Sequence, residues 1–266
     1  MNLSPKISII TVVRNGEQHI EHTIKSIVNQ SYQNIEYLII DGNSTDRTIE
    51  IIKKYQDQIS FWVSEPDSGI YDAMNKGVRA SSGDWLLFIH SDDYLLSPTV
   101  IEEAVPYLRN STHQIAYGQV GFIYPDQSEK TYGAEWGSLK KRFREVAMCI
   151  PHQATFHSRK LFVNGCFDKN FRIAGDYDFL LRHLKDHEAT FFPVMIAKMR
   201  ADGISFTASK IDLLRDTRKA QIKNKMYRSI PPFSWHVSAF KLLVIDLIIK
   251  AFGVEWKNRI RGILKN

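Results

Sequence analysis

The chain has 266 residues, enough for one large domain or for one domain with an appendage. With 44% hydrophobic and 24% charged residues, its composition excludes a disordered chain and a coiled coil. The net charge is +6, but the first 206 residues hold 22 basic and 25 acidic residues, whereas 13 basic and 4 acidic residues lie from Thr207 onward. This asymmetry disfavours a nucleic-acid-binding domain and predicts a basic tail that meets an anionic surface.

Two features of the sequence bear on its compartment. Cys149 and Cys166 are too few for a disulfide framework and are typical of a reducing environment. The opening residues MNLSPKISIITVV lead directly into a predicted strand, without the basic and apolar leader of a secreted protein. We therefore expect a cytoplasmic protein.

Short apolar runs alternate with helical segments in the first ninety residues. Strands are predicted at Ile7–Val13, Ile35–Ile40, Ile59–Ser64 and Trp85–Ile89. Between them, Ile20, Ile24 and Ile27 recur at helical spacing, and GNSTDRTIEIIKKY supplies a turn, a cap and a helix. The alternation predicts βαβ units and an α/β fold with a mostly parallel sheet, and continuously apolar strands predict that helices cover both of its faces.

The second half of the chain has a different character. Strands are predicted at Ile115–Tyr124 and Ala189–Arg200, and a helix at Gly175–His187. The segment Lys130–Ile150 is interpreted as irregular, because it is rich in glycine, aromatic and basic residues. We expect a domain over residues 1–205 and a basic, amphipathic helical tail over residues 206–266.

The tail contains no run of about 18 uncharged residues, the length that a spanning helix needs. One side of its predicted helix carries Lys241, Asp246 and Lys250, and the other carries Phe240, Leu243, Leu247 and Ile248. Trp235 and Trp256 lie near the ends. This pattern indicates an interfacial helix on a membrane, or a helix that packs on the domain or on another subunit.

Polar residues follow three of the predicted strands. In open α/β sheets, ligands bind beyond the carboxyl ends of the strands. Arg14 follows the first strand, Asp41 ends the second, and Asp92 with Asp93 follows the fourth. Asp46 is interpreted as a helix cap. For Asp41, the sequence leaves open whether it caps a helix or binds a ligand.

The chain lacks the glycine-rich phosphate-binding motifs of dinucleotide-binding proteins and of P-loop proteins. A bound nucleotide diphosphate would therefore need another source of positive charge. Mg²⁺ or Mn²⁺ held by one or two carboxylates is the expected substitute, and Asp92 and Asp93 are the candidate ligands.

A second acidic cluster begins the predicted helix at Gly175. Asp176 and Asp178 lie in its first turn, where the helix dipole favours acids for structural reasons alone. Gly175 is expected to leave room for a substrate, so Asp176 is the candidate base that takes a proton from an attacking hydroxyl, with Asp178 as the alternative.

Several motifs occur together in the order found in one enzyme family. The segment ISIITVVRNGEQHIEHTIKSIVNQSYQNIEYLIIDGNSTDRT resembles the opening of the family 2 glycosyltransferases, which have the GT-A fold. DSGIYDAMNKGVRASSGDWLLFIHSDDYL is similar to the segment leading to the family's metal-binding acids, and PHQATFHSRKLFVNGCFDKNFRIAGDYDFLLR to its acceptor half. The resemblance covers roughly residues 5–205.

The resemblance implies a role for each matching residue. Thr11 and Arg14 would lie along the nucleotide, and Asp41 would bond the uracil edge. The implied contacts to base, ribose or diphosphate are Asp72, Asn75 and Lys76. Asp92 would be a metal ligand with Asp93 beside it, and Asp176 would be the general base.

Three further points concern the site. The family often has D-x-D-D at the metal, and here His90 takes the first position, which leaves open whether it contacts the ribose or the metal. His152 and Gln153 would line the acceptor pocket, or form a turn after Pro151. Residues Ala201–Ser205 would pass near the donor as a flexible loop.

The resemblance implies an inverting enzyme that moves one sugar from a nucleotide-sugar, expected to be a UDP-sugar, to a hydroxyl. The Q-x-x-R-W motif and the membrane spans of processive synthases are absent from the sequence, which favours single addition. By analogy, we expect a lipid-linked glycan acceptor in bacterial surface polysaccharide synthesis, of O-antigen, capsule or exopolysaccharide. The basic tail would hold the enzyme peripherally at the inner membrane surface. The oligomeric state stays open.

Two other classes share parts of this pattern. A nucleotidyltransferase would share the α/β half and the metal-binding acids but would want a glycine-rich, basic phosphate loop, of which TVVRNGEQ is a poor version. A non-catalytic sugar-nucleotide-binding module would not need all of Asp92, Asp93 and Asp176.

Overall fold

The computed structural model describes residues 4–123, 128–200, 209–227 and 230–252. Its strands are β1 (Ile7–Val13), β2 (Ile35–Asp41), β3 (Phe61–Ser64), β4 (Trp85–Phe88), β5 (Tyr94–Leu95), β6 (Ile115–Ile123), β7 (Glu129–Tyr132), β8 (Thr155–Ser158) and β9 (Thr190–Arg200). Its α-helices are α1 (Ile20–Val28), α2 (Thr48–Lys54), α3 (Ile70–Ala80), α4 (Val100–Asn110), α5 (Trp136–Glu145), α6 (Gly175–Leu184), α7 (Lys210–Lys223) and α8 (Phe233–Phe252). Short 3₁₀ helices lie at Gln56–Gln58, His152–Ala154 and Arg159–Asn164.

The described strands form one sheet in the order β3-β2-β1-β4-β8-β6-β9-β5, with β7 paired to β6. The strands β3, β2, β1 and β4 are parallel neighbours, as are β6 and β9. Between these groups, β8 runs antiparallel to both β4 and β6. The expected α/β fold with a mostly parallel sheet is confirmed, and β8 is the strand that joins the two halves.

The sheet is covered on both faces, as the continuously apolar strands predict. Along β1, Ile7 and Ile9 contribute to one core cluster together with α1, α2 and α4. Ile10 contributes to the other, together with α3, α5 and α6. Because successive side chains of a strand point to opposite faces, each apolar run serves two cores.

The sequence interpretation was wrong for Lys130–Ile150. That segment contains the end of β7 and the helix α5, whose Trp136 and Phe143 are buried. Their spacing of seven residues puts both rings on one face, while the basic residues between them occupy the other. The helical pattern was hidden by the high content of arginine and lysine.

The first helix of the tail belongs structurally with the domain. Asp178 of α6 is fully buried, and its carboxylate accepts hydrogen bonds from Lys223 Nζ and Asn224 Nδ2, each at 2.9 Å. Asp216 of α7 accepts from the amides of Arg172 and Ile173 at 2.9 and 2.8 Å. The division at residues 205 and 206 stays a prediction, but α7 is bonded to the segment that begins α6.

The helix α8 has two apolar sides. Ala239 is buried and Trp235 and Leu242 are partly buried toward the domain. The opposite side exposes Phe233, Val237, Phe240, Val244 and Leu247, and Leu243 is exposed between the two sides. Within the described ranges, no helix combines the length and the apolar character needed to cross a bilayer. Residues 201–205, the side chains of Asp246, Ile248 and Lys250, and Trp256 lie outside the described part of the chain.

We predict that Asp178→Ala lowers the free energy of unfolding by about 2–3 kcal/mol, because it leaves a buried amide and a half-buried ammonium without their shared carboxylate. Asp168→Ala is the matched control, since Asp168 bonds the same Lys223 at 2.7 Å from a more exposed position. The control should lose no more than about 1 kcal/mol. Urea unfolding measures both, and equal losses would contradict the assignment.

Candidate active site

Two loops at the carboxyl edge of the sheet are joined to each other. Beyond β1 and β2, Asn15 and Asn43 adopt left-handed backbone conformations, with φ of 52° and 60°, which asparagine tolerates better than most residues. The side-chain oxygen of Asn15 accepts a hydrogen bond from the Thr45 amide at 2.9 Å. The backbone amide of Asn15 donates to Ser44 Oγ at 2.7 Å. This edge is therefore one cross-linked surface.

Asp46 follows the same loop and ties it to the start of α2. Its Oδ1 accepts from the amide of Thr48, in the first turn of α2, at 3.0 Å, and its Oδ2 accepts from the amide of Glu17 at 3.1 Å. Limited burial is the largest single influence on the pKa of its carboxyl and raises it. The hydrogen bonds together outweigh this effect, so the pKa lies below its usual value. The N-cap of α2 is Arg47, so Asp46 supports the start of the helix from one residue before the cap that the sequence predicted.

Asp41 ends β2 with a carboxylate that is fully buried and bonded to the protein. Oδ2 accepts from the amide of Ser44 at 2.9 Å and from Ser64 Oγ at 2.6 Å, and Oδ1 accepts from Ser44 Oγ. A carboxylate can accept about four hydrogen bonds, so little capacity is left for a nucleobase. The contact to uracil stays a prediction, while the turn after β2 clearly depends on this side chain.

Arg14 is an exposed cation at this edge, and no carboxylate of the described residues lies within ion-pair distance of it. A Cβ built on Gly42 would lie 3.5 Å from Arg14 Cβ and would overlap the carboxylate of Asp67. Asp67, in the loop after β3, thus approaches the Gly42 backbone beside Arg14. The position of Arg14 along the nucleotide stays a prediction.

The two adjacent acids after β4 occupy different environments. The turn is closed by a hydrogen bond of 3.1 Å from the Asp93 amide to the His90 carbonyl. Thr23 Oγ1 of α1 also bonds the carbonyls of Ser91 and Asp93, at 2.9 and 2.7 Å. Asp93 is 3% exposed, whereas Asp92 is partly accessible. Both stay predicted metal ligands, and Asp92 is the carboxylate that a ligand can reach.

Three histidine rings pack against one another close to Asp92. The ring of His152 stacks on that of His90 at a centroid distance of 5.8 Å and meets the edge of His157 at 5.6 Å. Burial lowers the pKa of all three imidazoles, to about 4 for His157. Nδ1 of His90 and both ring nitrogens of His152 are buried without a hydrogen-bond partner in the described structure. Because an unpaired buried polar atom is costly, these nitrogens are candidates for a bond to a ligand.

The residues of this turn fit a hard divalent cation. Mg²⁺ and Mn²⁺ take one or two protein carboxylates together with phosphate oxygens. Asp92 offers an accessible carboxylate, and His90 Nδ1 offers a neutral nitrogen. In the part of the chain that the structure describes, no three His, Cys, Asp or Glu side chains converge on one metal position. A cation held here would therefore take further ligands from a diphosphate.

Two of the α3 residues that are predicted to contact the sugar-nucleotide are bonded to neighbouring loops instead. Asp72 accepts from the Ser68 amide at 3.0 Å and lies 3.3 Å from Lys169 Nζ. The bond from Ser68 is the main reason why the pKa of Asp72 is lowered. Lys76 forms an ion pair of 2.8 Å with Glu65. Both residues fix the loop before α3, and their contacts to a nucleotide stay predictions.

Asn75 and Thr11 are more deeply enclosed. Asn75 exchanges two hydrogen bonds with the backbone of Phe167, at 2.8 and 2.9 Å, and is 5% exposed. Thr11 is fully buried in β1, where its hydroxyl lies 3.2 Å from the hydroxyl of Tyr37. No observation here brings either side chain to a ligand, so their assigned donor contacts also stay predictions.

Asp176, the predicted base, lies in the first turn of α6. Its Oδ1 accepts from the Tyr177 amide at 2.8 Å and lies 3.3 Å from Tyr71 Oη. Burial raises the pKa of Asp176 to about 6, although both hydrogen bonds act in the opposite direction. Oδ2 has no hydrogen-bond partner among the described residues. Asp176 is therefore a carboxylate with one anchored oxygen, one available oxygen and a pKa suited to proton transfer near neutral pH.

The space beside Gly175 is occupied by the protein, and the interpretation that it admits a substrate was wrong. A Cβ built on Gly175 would lie 2.7 Å from the ring of Tyr71. The Tyr71 hydroxyl donates to the carbonyl of Ile173 at 2.6 Å, and burial raises its pKa well above the usual value. Gly175 is thus needed for the close approach of Tyr71, which stays protonated and supports Asp176.

The predicted donor and base regions are linked through packed rings. His152 contacts Phe167 at a centroid distance of 6.4 Å, and Phe167 stacks on Tyr71 at 6.0 Å. Tyr71 in turn reaches Asp176. His152 and Gln153 are both nearly buried, and His152 lies beside His90 with two rings between it and the base. Their contact with an acceptor stays a prediction.

Comparison with known proteins now decides the family. The model of glycosyl transferase family 2 matches residues 8–164, more than half of the chain. The chain belongs to glycosyl transferase family 2. An uncharacterized glycosyltransferase of Mycobacterium tuberculosis is 35% identical over 229 residues, which are 85% of this chain and 87% of that protein. A PGL/p-HBAD biosynthesis glycosyltransferase of Mycobacterium bovis is 28% identical over 186 residues, 67% of this chain and 70% of that one.

Solved structures of other glycosyltransferases share the fold of this family 2 enzyme. Staphylococcus aureus TarS in complex with UDP-GlcNAc matches 93% of this chain and 73% of its own, with a TM-score of 0.66 and 15% identity. Mannosyltransferase PcManGT of Pyrobaculum calidifontis, in complex with GDP-Man and Mn²⁺, matches 89% of this chain and 69% of its own, with a TM-score of 0.65 and 16% identity. At this identity the likeness establishes the GT-A fold alone.

Sequence reasoning missed three residues that the structure places around the candidate site. Tyr71 lies directly before the predicted Asp72, and Asp67 begins the loop that leads to it. A polar or aromatic residue in the loop after a parallel strand is the signal that could have identified both. Asp216 gave no such signal, because its partners lie more than forty residues earlier in the chain.

We predict that Gly175→Ala destabilises the glycosyltransferase by about 1–3 kcal/mol, because the added methyl group overpacks the ring of Tyr71. Gly137→Ala, in the first turn of α5, is the matched control, since a Cβ there meets nothing within 4 Å. The control should be neutral or slightly stabilising. Thermal unfolding compares the two, and an unchanged midpoint for Gly175→Ala would refute the close approach.

Proposed function

We propose that this enzyme is a metal-dependent inverting glycosyltransferase that moves a single sugar from a nucleotide-sugar, a UDP-sugar in our proposal, to a hydroxyl group of a glycan acceptor. The observation that carries the proposal is the environment of Asp176. Its carboxylate is enclosed, it has one available oxygen, and burial raises its pKa to about 6. Such a group is ionised at neutral pH and remains basic enough to accept a proton from an attacking hydroxyl.

The donor would bind at the edge formed by the ends of β1, β2 and β4. Arg14 would meet the diphosphate, and Asp92, with His90 Nδ1 beside it, would hold Mg²⁺ or Mn²⁺. When bound, the cation would offset the charge that develops on the diphosphate. Asp176 would orient the acceptor hydroxyl and take its proton as the oxygen attacks the anomeric carbon from the face opposite the nucleotide. Tyr71 would keep the carboxylate in place.

We further propose that the acceptor is lipid-linked and that the enzyme works at an anionic membrane surface in surface polysaccharide synthesis. The exposed side of α8 supports this, because Phe233, Val237, Phe240, Val244 and Leu247 follow one another at steps of three and four residues. The tail also carries the excess of basic residues. An apolar stripe with neighbouring cations complements an anionic bilayer.

The first prediction of this proposal is metal-dependent release of UDP from one UDP-sugar in the presence of a suitable acceptor. Asp176→Asn should retain donor binding by isothermal calorimetry but lose about 10²–10⁴-fold in turnover.

In the wild type, log kcat/KM for the acceptor should rise with pH up to about 6 and then level, because Asp176 must be ionised to act as a base.

Several outcomes would count against this assignment. Asp92→Ala should remove the metal-dependent part of donor binding while the protein stays folded, and undiminished binding would move the metal elsewhere. Turnover of Asp176→Asn at the wild-type rate would exclude Asp176 as the base. Release of pyrophosphate would indicate a nucleotidyltransferase, GDP release from a GDP-sugar would change the donor class, and donor binding without turnover for any acceptor would indicate a binding module.

A separate prediction concerns the membrane. The double variant Phe240→Ser/Leu247→Ser should sediment less with phosphatidylglycerol vesicles than the wild type, because both side chains are 69% exposed on the apolar stripe. Val163→Ser is the matched control, since Val163 is 82% exposed outside the tail. Equal sedimentation of all three proteins would contradict membrane contact. A loss of dimers in the double variant would instead identify a second copy of the chain as the partner.

A further inference from the structure

A mostly apolar cavity of about 220 Å³ lies directly beside the predicted base. We call it the acceptor chamber. Its walls come from the segments around α5 and the start of α6, and from both helices of the tail. It is lined by Val146, Ala147, Met148, Ile173, Ala174, Asp176, Tyr177, Leu213, Leu214, Thr217, Trp235, Ser238, Ala239 and Leu242. Asp176 provides the only carboxylate of this lining.

We propose that the acceptor chamber binds an apolar group of the acceptor, of the size of one aromatic ring or a short branched alkyl unit, close to the hydroxyl that receives the sugar. This inference rests on the proposed role of Asp176 and names the class of acceptor: an amphiphile rather than a free polar glycan. The tail then forms part of the substrate site.

The size and lining of the chamber support this class of ligand. An apolar cavity of about 150 Å³ is enough to hold benzene, so a ring with a small substituent fits here. Besides Asp176, the side chains with polar atoms along the wall include Thr217, Ser238 and Trp235. A hexose enclosed by this wall would leave several hydroxyl groups without hydrogen-bond partners, which is costly. An apolar group has no such cost and removes its surface from water.

The position of Asp176 also supports an acceptor whose apolar group lies in the chamber. One carboxylate oxygen is held by the Tyr177 amide and by Tyr71, and the other has no partner among the described residues. A group seated in the chamber would therefore present an attached hydroxyl to an oxygen that can accept its proton. Asp216 fixes this geometry, because it bonds the amides of Arg172 and Ile173 just before α6.

The surroundings of the chamber indicate how such an acceptor would arrive. Leu214 and Trp235 also line a second, more open groove, which is apolar along Ile211, Ile222 and Leu243. The basic residues at this groove are Arg215, Arg218, Lys219 and Lys223. Its apolar floor and basic border complement an amphiphile with an anionic head. The exposed apolar stripe lies on the other side of α8, so one helix would contact both the bilayer and the substrate.

The test fills the chamber without touching the donor site. Ala239→Phe places a ring into the cavity from α8, and Leu242→Trp does so one turn later. Val244→Phe is the matched control on the exposed side of the same helix. Binding is measured by ¹⁹F NMR with 4-fluorophenol as the probe, and folding by thermal unfolding. Wild type and Val244→Phe should broaden the probe signal, and both filled variants should lose this effect.

Kinetics provide the second readout. With the donor from the UDP-release screen, p-nitrophenyl and octyl glycosides should be better acceptors than the methyl glycosides of the same sugars. In Ala239→Phe their KM should rise by roughly tenfold or more, as expected from loss of the contacts of a buried ring. In the control Val244→Phe, whose side chain lies outside the chamber, both this KM and the slow release of UDP into water should stay at their wild-type values.

The outcomes separate this inference from the proposed function. Probe binding that survives in a folded filled variant, or no probe binding to wild type, would overturn the chamber while leaving the transferase intact. Methyl and octyl glycosides of equal efficiency would also overturn it. Failure of every donor in the screen would count against the proposed function alone, because the NMR measurement needs no donor. If Ala239→Phe does not fold, Leu242→Trp and the wild-type probe experiment decide.

Discussion

The approach of Tyr71 to Gly175 joins the two halves of this enzyme. Tyr71 begins the helix that follows β3, in the half that ends in the predicted donor edge, whereas Gly175 begins the helix that carries the predicted base. The ring can lie on the backbone at this point only because Gly175 has no side chain. Its hydroxyl then bonds the Ile173 carbonyl and reaches Asp176. One contact between residues 104 positions apart therefore sets where the predicted base lies relative to the predicted donor edge.

Support from the tail makes this arrangement rigid. Asp216 holds the backbone just before α6, and Asp178 inside α6 is bonded by Lys223 and Asn224. Asp176 and Asp178 are thus two acids of one helical turn in different environments. Asp178 is bonded on both carboxylate oxygens, whereas Asp176 is bonded on one. The environment, not the residue type, separates a structural acid from a candidate base. In this enzyme the tail supplies the partners that make the difference.

The sequence predicted the strands, the α/β class and the acids at the sheet edge, because strand ends and apolar periodicity are local signals. It did not predict that Asn75 bonds the backbone of Phe167, or that Asp41 is enclosed by Ser44 and Ser64. Those partners are set by tertiary packing, which no local pattern records. The helix α5 was missed for another reason, since its basic face outweighed the two aromatic residues of its buried face.

Satisfied and unsatisfied polar groups divide the predicted site in a consistent way. Asp41, Asp72 and Asn75 have protein partners for most of their polar atoms, and they shape the loops that surround a donor. His90 and His152 have buried nitrogens without partners, and Asp176 has an available oxygen. Because an unpaired buried polar group is costly, such atoms persist where a ligand completes their bonding. By this criterion we expect the ligand-binding region to run from His90, through the rings of His152, Phe167 and Tyr71, to Asp176 and the chamber that we propose behind it.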